Sequence, residues 1–196
     1  MLKVLYFTSE TKKKFGVYKV VNVLKKKQFK KLKVRLSQNI LDIFLLKPQI
    51  IHIHGCWQPK LLIIFLIAKI TFKKIVISPH GMIDPTSFAQ KKIKKTFAWL
   101  IYQRYIFYFA NLIIVNSKLE KKNLINKLKV SQNIEIIKHG INIPKQVKNR
   151  IKKNKLKFVF FSRIHPSKNL LKLIEIWKSD CFFNFLDLDI YGEVED

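Results

Sequence analysis

Short apolar runs alternate with amphipathic segments along most of the chain, and this alternation predicts an α/β fold. The strand-like runs lie at 2–9, 48–55, 74–81, 111–117 and 134–141. The helical segments between them lie at 17–24, 58–70, 88–110 and 118–128. In the first of these helices, Val17, Val20, Val21 and Leu24 share one face. Strands that alternate with helices form βαβ units, whose parallel sheet is covered on both faces.

A basic, polar stretch at 144–157, PKQVKNRIKKNKLK, separates this region from a second α/β segment. The segment begins with the strand-like KFVFFSR at 157–163 and ends with LDLDIYG at 186–192. Between them, Leu170, Leu173, Ile174 and Trp177 form a helical stripe. We therefore expect an N-terminal domain at 1–145, a basic linker at 146–156, and an incomplete second domain at 157–196.

The formal net charge of +27 suggests that the protein binds an anionic partner, because self-repulsion of this size is best tolerated near anions. Nucleic acid, an anionic membrane surface and phosphorylated substrates are all candidates. A lysine-rich composition set by the base composition of the encoding genome would explain the charge equally well. The basic runs at 12–14, 25–27 and 91–95 contain no interleaved aromatic residues, so nucleic-acid binding rests on charge alone and is not expected.

The longest uncharged stretches fall well short of the roughly 20 apolar residues that a membrane-spanning helix needs. The beginning of the sequence, MLKVLYFTSE, becomes polar too early for a secretory signal. We expect a cytoplasmic protein without a transmembrane helix. Cys56 and Cys181 lie far apart and predict neither a disulfide framework nor a metal site.

Three of the predicted strands are followed by a histidine and a glycine: His54-Gly55, His80-Gly81 and His139-Gly140. Ligands of open α/β sheets bind at the carboxyl ends of the strands. Glycine lets a ligand approach the backbone, and neutral imidazole offers both a hydrogen-bond donor and an acceptor. These loops therefore predict a binding site, whereas His52, inside its strand, is expected to be a packing residue.

The stretch FFSRIHPSKNLLKLIEIW, residues 160–177, predicts a strand, a turn and a helix. We expect Lys168 to lie in the first turn of a helix capped near Ser167, where free backbone N–H groups favour an anion. Arg163 ends the preceding strand and could reach the same point with its planar guanidinium. Together the two cations predict a diphosphate site.

Several motifs, in their order and spacing, resemble the retaining GT-B glycosyltransferases of family 4, a group that makes bacterial surface polysaccharides. The motifs are PQIIHIHGCW, ISPHGMIDP, IIVNSKLEKKNL, IEIIKHGIN, FFSRIHPSKNLLKLIEIW and LDIYGEVED. The resemblance implies a Rossmann-like parallel sheet as the N-terminal domain of a GT-B fold, plus the first βαβ unit of a second Rossmann-like domain. It also implies transfer of a sugar from a nucleotide diphosphate sugar to an acceptor hydroxyl, without a catalytic metal or other cofactor.

By the same resemblance, site roles are expected at seven positions. Arg163 and Lys168 would neutralise the donor diphosphate as it leaves, with Gly16 beside the phosphates. His80 would be catalytic, next to the transferred sugar. His54, Gly55 and Trp57 would line the acceptor side.

The sequence also departs from the pattern of the family. Family members usually carry a Gly-Gly pair where this chain has only Gly16, and their paired-glutamate motif would lie beyond YGEVED. We therefore expect a truncated transferase that is weakly active or inactive alone: either it works with a separately encoded C-terminal half, or it is an inactive fragment. The alternative is a non-catalytic basic module, peripheral at the inner face of the membrane. Such a module would bind anionic lipid or a phosphorylated, lipid-linked acceptor, with 88–110 as its contact.

Overall fold

The computed structural model describes residues 1–8, 16–26, 31–129, 133–140, 157–179 and 186–194. It divides into two compact units, Met1–Ile141 and Asn142–Asp196. The predicted linker at 146–156 lies outside the described residues. The domain limits 1–145 and 157–196 therefore stay predictions.

The first unit is built on a six-stranded parallel sheet with the order β2-β1-β3-β4-β5-β6. The strands are β1 (Leu2–Thr8), β2 (Leu32–Ser37), β3 (Ile50–His54), β4 (Lys74–Ser78), β5 (Leu112–Val115) and β6 (Ile134–Ile136). Every neighbouring pair runs parallel. The βαβ organisation expected from the hydrophobic pattern is therefore present.

Strand β2 was not predicted from the sequence, although its signal is there. Leu32, Val34 and Leu36 are half-buried and alternate with the exposed Lys33 and Arg35. This period of two is typical of a strand with one solvated face. Because β2 lies at the edge of the sheet, its cations also discourage pairing with the strand of another chain.

Helices connect the strands. They are α1 (Gly16–Lys26), α2 (Asp42–Leu46), α3 (Pro59–Ile70), α4 (Pro85–Ala89), α5 (Lys92–Ala98), α6 (Arg104–Tyr108) and α7 (Lys118–Leu128), with a π-helical turn at Trp99–Gln103 between α5 and α6. No helix in the described ranges combines the length and the apolar character that crossing a bilayer demands.

The prediction of one continuous helix at 88–110 was wrong at its beginning. Lys91 has a φ of 56°, which interrupts the right-handed helical path between α4 and α5. From Lys92 to Tyr108 the chain is helical throughout, including the π-helical turn.

One face of the sheet forms the hydrophobic core. In β3, Ile51 and Ile53 point to the opposite face from His52 and His54, because successive side chains of a strand alternate. The core face collects residues that are each at most 1% exposed: Leu5, Phe7, Ile51, Ile53, Ile75, Ile77, Ile113 and Val115. Burial of both residue sets in β3 shows that both faces of this strand are covered.

The other face of the sheet is polar at the carboxyl ends of the central strands. The parallel register places Thr8 beside His54, and His54 beside Ser78. Two residues earlier in the same strands, and on the same face, Tyr6 lies beside His52. All but Tyr6 are buried, so a row of polar side chains lies inside the unit rather than on its surface.

The second unit contains β7 (Lys157–Phe161), a 3₁₀ turn (Pro166–Lys168), α8 (Leu170–Ser179) and β8 (Asp187–Tyr191). The two strands pair in parallel, as predicted for a βαβ unit. After β8, Gly192 lies so close to β7 that an added Cβ would come within 1.8 Å of the carbonyl oxygen of Ser162. Only glycine fits this close approach.

Glu120 connects the loops that follow β4 and β5. This buried residue lies in the first turn of α7. Its Oε1 accepts a hydrogen bond from the backbone N–H of Gly81 (2.6 Å), and its Oε2 accepts one from that of Asn116 (2.7 Å). The backbone N–H of Glu120 donates to Oγ of the N-cap residue Ser117 (3.0 Å). The carboxylate thus fixes the turn that carries His80.

We expect the substitution Glu120→Ala to lower the free energy of unfolding by about 3 kcal/mol, because it leaves two backbone N–H groups without their charged acceptor. Urea denaturation measures this change. Glu135→Ala, at an exposed glutamate of β6, is the matched control and should change stability by less than about 0.5 kcal/mol. Equal losses in the two variants would contradict the role given to Glu120.

Candidate functional site

A cavity of about 420 Å³ lies on the polar face of the first unit. Its sheet side is lined by Tyr6, His52, His54, Ser78, Ile114 and Asn116. Helix α1 lines it with Lys19, Val20, Val23 and Leu24, and the segment after β6 adds Ile137, Lys138, His139 and Gly140. The cavity therefore lies where the sheet topology places ligand sites, at the carboxyl ends of the strands.

The three His-Gly loops converge on this cavity, as their positions predicted. His54 is the last residue of β3, and His139 follows β6. His80 lies in a tight turn after β4, closed by a hydrogen bond from Met82 N–H to the Pro79 carbonyl (3.2 Å). Both central residues of the turn, His80 and Gly81, have positive φ (53° and 75°), and this conformation turns the His80 ring toward its neighbours.

His54, His80 and His139 form a hydrogen-bonded series that we call the histidine chain. Nδ1 of His54 lies 3.0 Å from Nε2 of His80, and Nδ1 of His80 lies 3.3 Å from Nε2 of His139. The rings of adjacent members are stacked, with centroids 5.2 and 5.3 Å apart. The chain thus runs from the fully buried His54 to the exposed His139.

His52 lies beside the histidine chain but is not part of it. Its ring stacks on that of His54, with centroids 3.9 Å apart, and its Nε2 is hydrogen-bonded to Oγ of Ser78 at 2.8 Å. It is buried within β3. This placement agrees with the packing role expected from the sequence.

Burial keeps these imidazoles neutral. Desolvation, together with a smaller effect of a neighbouring histidine, lowers the pKa of His52 to about 3 and that of His80 to about 4. Desolvation also holds the pKa of His54 well below its usual value, and lowers the pKa of His139 despite the nearby Glu120 carboxylate. At neutral pH each ring therefore carries one proton.

The ring nitrogens of the histidine chain face one another in pairs and do not converge on a common point. In the part of the chain that the structure describes, no group of three or more His, Cys, Asp or Glu side chains could hold a metal ion. The arrangement is suited to hydrogen bonding with a polar ligand.

The residues after His54 have mainly structural contacts. Gly55 has a φ of 97°, which favours glycine, and its N–H donates to the Ser78 carbonyl (2.8 Å). The indole N–H of Trp57 donates to the Met82 carbonyl (3.2 Å), and the Trp57 ring packs against Phe88. Between them, Cys56 is a buried free cysteine, and burial raises the pKa of its thiol. Contacts of Gly55 and Trp57 with an acceptor stay predictions.

Gly16 begins α1 and is exposed, with open space where a side chain would project. The preceding loop, residues 9–15, lies outside the described residues. The expected contact of Gly16 with phosphates stays a prediction.

In the second unit, the expected position of Lys168 was wrong. Lys168 lies in the 3₁₀ turn before α8, not in the first turn of α8. Asn169 follows with a φ of 57°, a left-handed conformation that asparagine tolerates, and α8 begins at Leu170. Arg163 follows β7, and the side chains of Arg163 and Lys168 are both exposed. The side chain of Ser167, the expected cap, lies outside the described part.

Sequence reasoning missed Tyr6, Ser78 and Glu120. The alternation of side chains along the strands could have predicted Tyr6 and Ser78, because they lie on the same face of the sheet as His52 and His54 and in register with them. The spacing Ser117-x-x-Glu120 at the beginning of α7 is a capping-box signal. It predicts the helix start but not the contact with Gly81, which depends on tertiary packing.

The first unit should lose stability on mild acidification. Unfolded histidine titrates near its usual pKa of about 6.5, whereas folded His52 and His80 stay neutral down to about pH 3 and 4. The unfolded state therefore binds more protons below about pH 6.5, and the free energy of unfolding falls as the pH falls. From pH 7 to 5 we expect a decline of up to about 2 kcal/mol for each of these histidines.

Urea denaturation at the two pH values measures the decline. The variant His80→Asn, which removes one of the two groups, should show a smaller decline than the wild type. A free energy of unfolding that is the same at pH 7 and pH 5 would contradict the neutral state of the buried rings.

Comparison with known proteins gives matches at the level of family and fold. The family described as Glycosyltransferase Family 4 matches residues 3–145. Among curated proteins, no sequence matches this chain significantly.

The crystal structure of Anabaena Alr3699/HepE in complex with UDP and glucose has a similar fold, with a TM-score of 0.64 at 16% identity. The similarity covers 100% of this chain and 62% of the HepE chain, so this chain spans less than two thirds of that protein. A second structure of HepE, in complex with UDP-glucose, matches with a TM-score of 0.48 at 12% identity over 97% of this chain and 69% of that one.

These findings confirm the predicted fold class, a Rossmann-like parallel sheet of the GT-B type followed by a βαβ unit. The family match covers nearly the whole first unit and well over half of the sequence. The chain therefore belongs to glycosyltransferase family 4.

Proposed function

We propose that this chain takes part in the transfer of a sugar from a nucleotide diphosphate sugar to an acceptor hydroxyl. In this proposal the anomeric configuration is retained, and the product is a polysaccharide or glycolipid of the bacterial surface. One observation carries the proposal: in a family 4 domain, the carboxyl ends of the strands bring neutral polar side chains, among them His54, Ser78 and His80, to the sheet side of a cavity. Such groups suit the hydroxyls of a sugar.

The donor in this proposal is a nucleotide diphosphate sugar, and HepE, which has a similar fold, was solved with UDP. Arg163 and Lys168 would stabilise the negative charge that develops on the departing diphosphate, and Gly16 would lie beside the phosphates. Two cations and a backbone can supply this stabilisation, so the proposal includes no metal or other cofactor. Both side chains are exposed.

On the acceptor side the proposal assigns His54, Gly55 and Trp57, with His80 as the catalytic residue beside the transferred sugar. His54 is fully buried, so its proposed contribution reaches a ligand through His80, to which it is hydrogen-bonded. Gly55 would allow the acceptor to approach the backbone.

The paired glutamates of the family have no counterpart among the 196 residues of this chain. We propose that turnover at ordinary rates needs a segment that carries them, for example a separately encoded C-terminal half. The chain alone is then expected to bind donor phosphates but to transfer sugar weakly or not at all.

Calorimetry with UDP tests the donor site. Replacing both Arg163 and Lys168 by Ala should weaken UDP binding by about tenfold to a hundredfold, because each charge-assisted hydrogen bond contributes about 1.5–3 kcal/mol. The double variant Lys172→Ala with Lys178→Ala removes two exposed lysines of α8 and should leave the affinity nearly unchanged. If UDP does not bind, or binds the Arg163 and Lys168 variant as tightly as the wild type, the donor-site proposal is wrong.

A second proposed function, attachment to an anionic membrane surface, is favoured by the exposed side of α5 and the π-helical turn. Ile93, Phe97, Leu100 and Ile101 are 75, 62, 51 and 67% exposed. They recur at helical spacing and form an apolar stripe, next to the exposed Lys91, Lys92 and Lys94. Apolar side chains flanked by lysines fit a bilayer surface with anionic headgroups.

Sedimentation with lipid vesicles tests this attachment. The chain should bind vesicles that contain phosphatidylglycerol and should not bind vesicles of phosphatidylcholine alone. Replacing Phe97 and Ile101 by Ala should weaken binding by about tenfold or more, since less apolar area is buried. In the matched control, Phe44 and Leu45 of α2, which are 51 and 74% exposed, are replaced by Ala. This variant should bind vesicles like the wild type. Binding that ignores lipid charge or the stripe would contradict this proposal.

A further inference from the structure

Both ring nitrogens of His80 are already engaged in the histidine chain. Nε2 lies 3.0 Å from Nδ1 of the buried His54, and Nδ1 lies 3.3 Å from Nε2 of the exposed His139. The two partners differ in their freedom to move. His54 is the last residue of a central strand and has no exposed surface, whereas His139 lies in the exposed segment after β6. A ligand could therefore replace His139 but not His54.

The protons of the histidine chain are coupled. A neutral imidazole has one N–H and one lone pair, so the direction of one hydrogen bond fixes the direction of the next. If Nδ1 of His54 donates to His80, then Nδ1 of His80 must donate to His139. If Nε2 of His139 donates to His80, then Nε2 of His80 must donate to His54. These are the two arrangements that satisfy both hydrogen bonds when the rings are neutral.

The second nitrogen of His54 discriminates between the arrangements. Nε2 of His54 is buried and has no hydrogen-bond partner in the described part of the chain. The first arrangement places a lone pair at this atom, and the second places an N–H there. In proteins an unpaired buried N–H group is rarer than an under-used acceptor, so the first arrangement is favoured.

We propose that His54 is a positioning residue that holds the proton of His80 on Nδ1, so that His80 presents an N–H donor to an oxygen atom of the ligand. The position of this oxygen is marked by Nε2 of His139, which lies 3.3 Å from Nδ1 of His80. The inference deepens the function proposed above and rests on it only for the identity of the ligand.

The surroundings of the histidine chain agree with a donor role for His80. Its lowered pKa, a result of burial and of His139, makes the neutral ring a poor acceptor of a proton from a hydroxyl group. The other titratable or charged groups around the cavity are Tyr6, Lys19, His52 and Lys138, and Glu120 acts on His139. No carboxylate lies among the described residues that line the cavity. His80 therefore orients an oxygen of the ligand rather than acting as a general base.

Nitrogen-detected NMR of the full chain tests the proposal without a ligand. Long-range proton–nitrogen spectra of the ¹⁵N-labelled protein at pH 7.5 show which ring nitrogen of each histidine carries the proton. We expect His54 and His80 to be protonated on Nδ1, opposite to the Nε2–H form that free histidine prefers. A wild-type His80 with its proton on Nε2 overturns the proposal.

Three variants separate positioning from simple packing. In His54→Leu the N–H that holds the lone pair on Nε2 of His80 is lost. The preference of free histidine for the Nε2–H form should then move the proton of this half-buried ring to Nε2. The matched control His52→Leu replaces a buried, stacked histidine that has no hydrogen bond to His80, and should leave the proton on Nδ1. In His139→Ala, a change at an exposed residue, the proton should also stay on Nδ1.

Each outcome decides the proposal. An unchanged His80 in folded His54→Leu, or a His80 whose proton moves in His139→Ala, shows that His54 does not set the tautomer. If the two buried variants fail to fold, the wild type and His139→Ala still give the answer. Because no nucleotide or sugar is used, failure here is distinct from failure of the donor-site experiment with UDP.

Discussion

The alternation of side chains across the central parallel strands is the constraint on which the rest of the structure depends. It sends Ile51 and Ile53 into the hydrophobic core and His52 and His54 to the opposite face. The parallel register then aligns Thr8, His54 and Ser78 in one row. A shift of one residue in β3 would exchange the two faces, placing imidazoles in the core and isoleucines in the cavity. The register of β3 is therefore fixed by the free-energy cost of burying its histidines in the hydrophobic core.

This constraint also explains why the site is neutral in a strongly basic protein. The net charge of +27 comes largely from lysines, and most of those that the structure describes are exposed and keep their hydration. Inside the cavity, desolvation disfavours the charged form of each ring, and the rings satisfy one another by hydrogen bonds. Glu120, a buried carboxylate, gains two backbone N–H donors and so remains compatible with burial. Polarity on the sheet side of the cavity thus comes from neutral imidazoles and hydroxyls, and the buried charge of Glu120 is compensated by backbone N–H groups.

The strands and helices with strong periodicity could be predicted from the sequence, as could the meeting of the three His-Gly loops. Strand β2 was missed although Leu32, Val34 and Leu36 carry the signal, because it is half-exposed and lysine and arginine alternate with its apolar residues. The break at Lys91 and the 3₁₀ turn around Lys168 could not be predicted, since both depend on a left-handed residue that is not glycine. The contact of Glu120 with Gly81 joins residues far apart in sequence, and no local pattern encodes it. The roles assigned to all seven site residues remain predictions: Gly16, His54, Gly55, Trp57, His80, Arg163 and Lys168.

Cys56 directly follows His54 and Gly55 in the sequence, and its burial has a chemical consequence. A thiol reacts with oxidants and electrophiles as its thiolate, and burial both suppresses that form and blocks access to the sulfur. The segment between β3 and α3 can thus carry a soft, compact side chain without becoming a target for redox damage. Alkylation of this sulfur would occur only when the segment opens, so the residue would report local opening of the core at the end of β3.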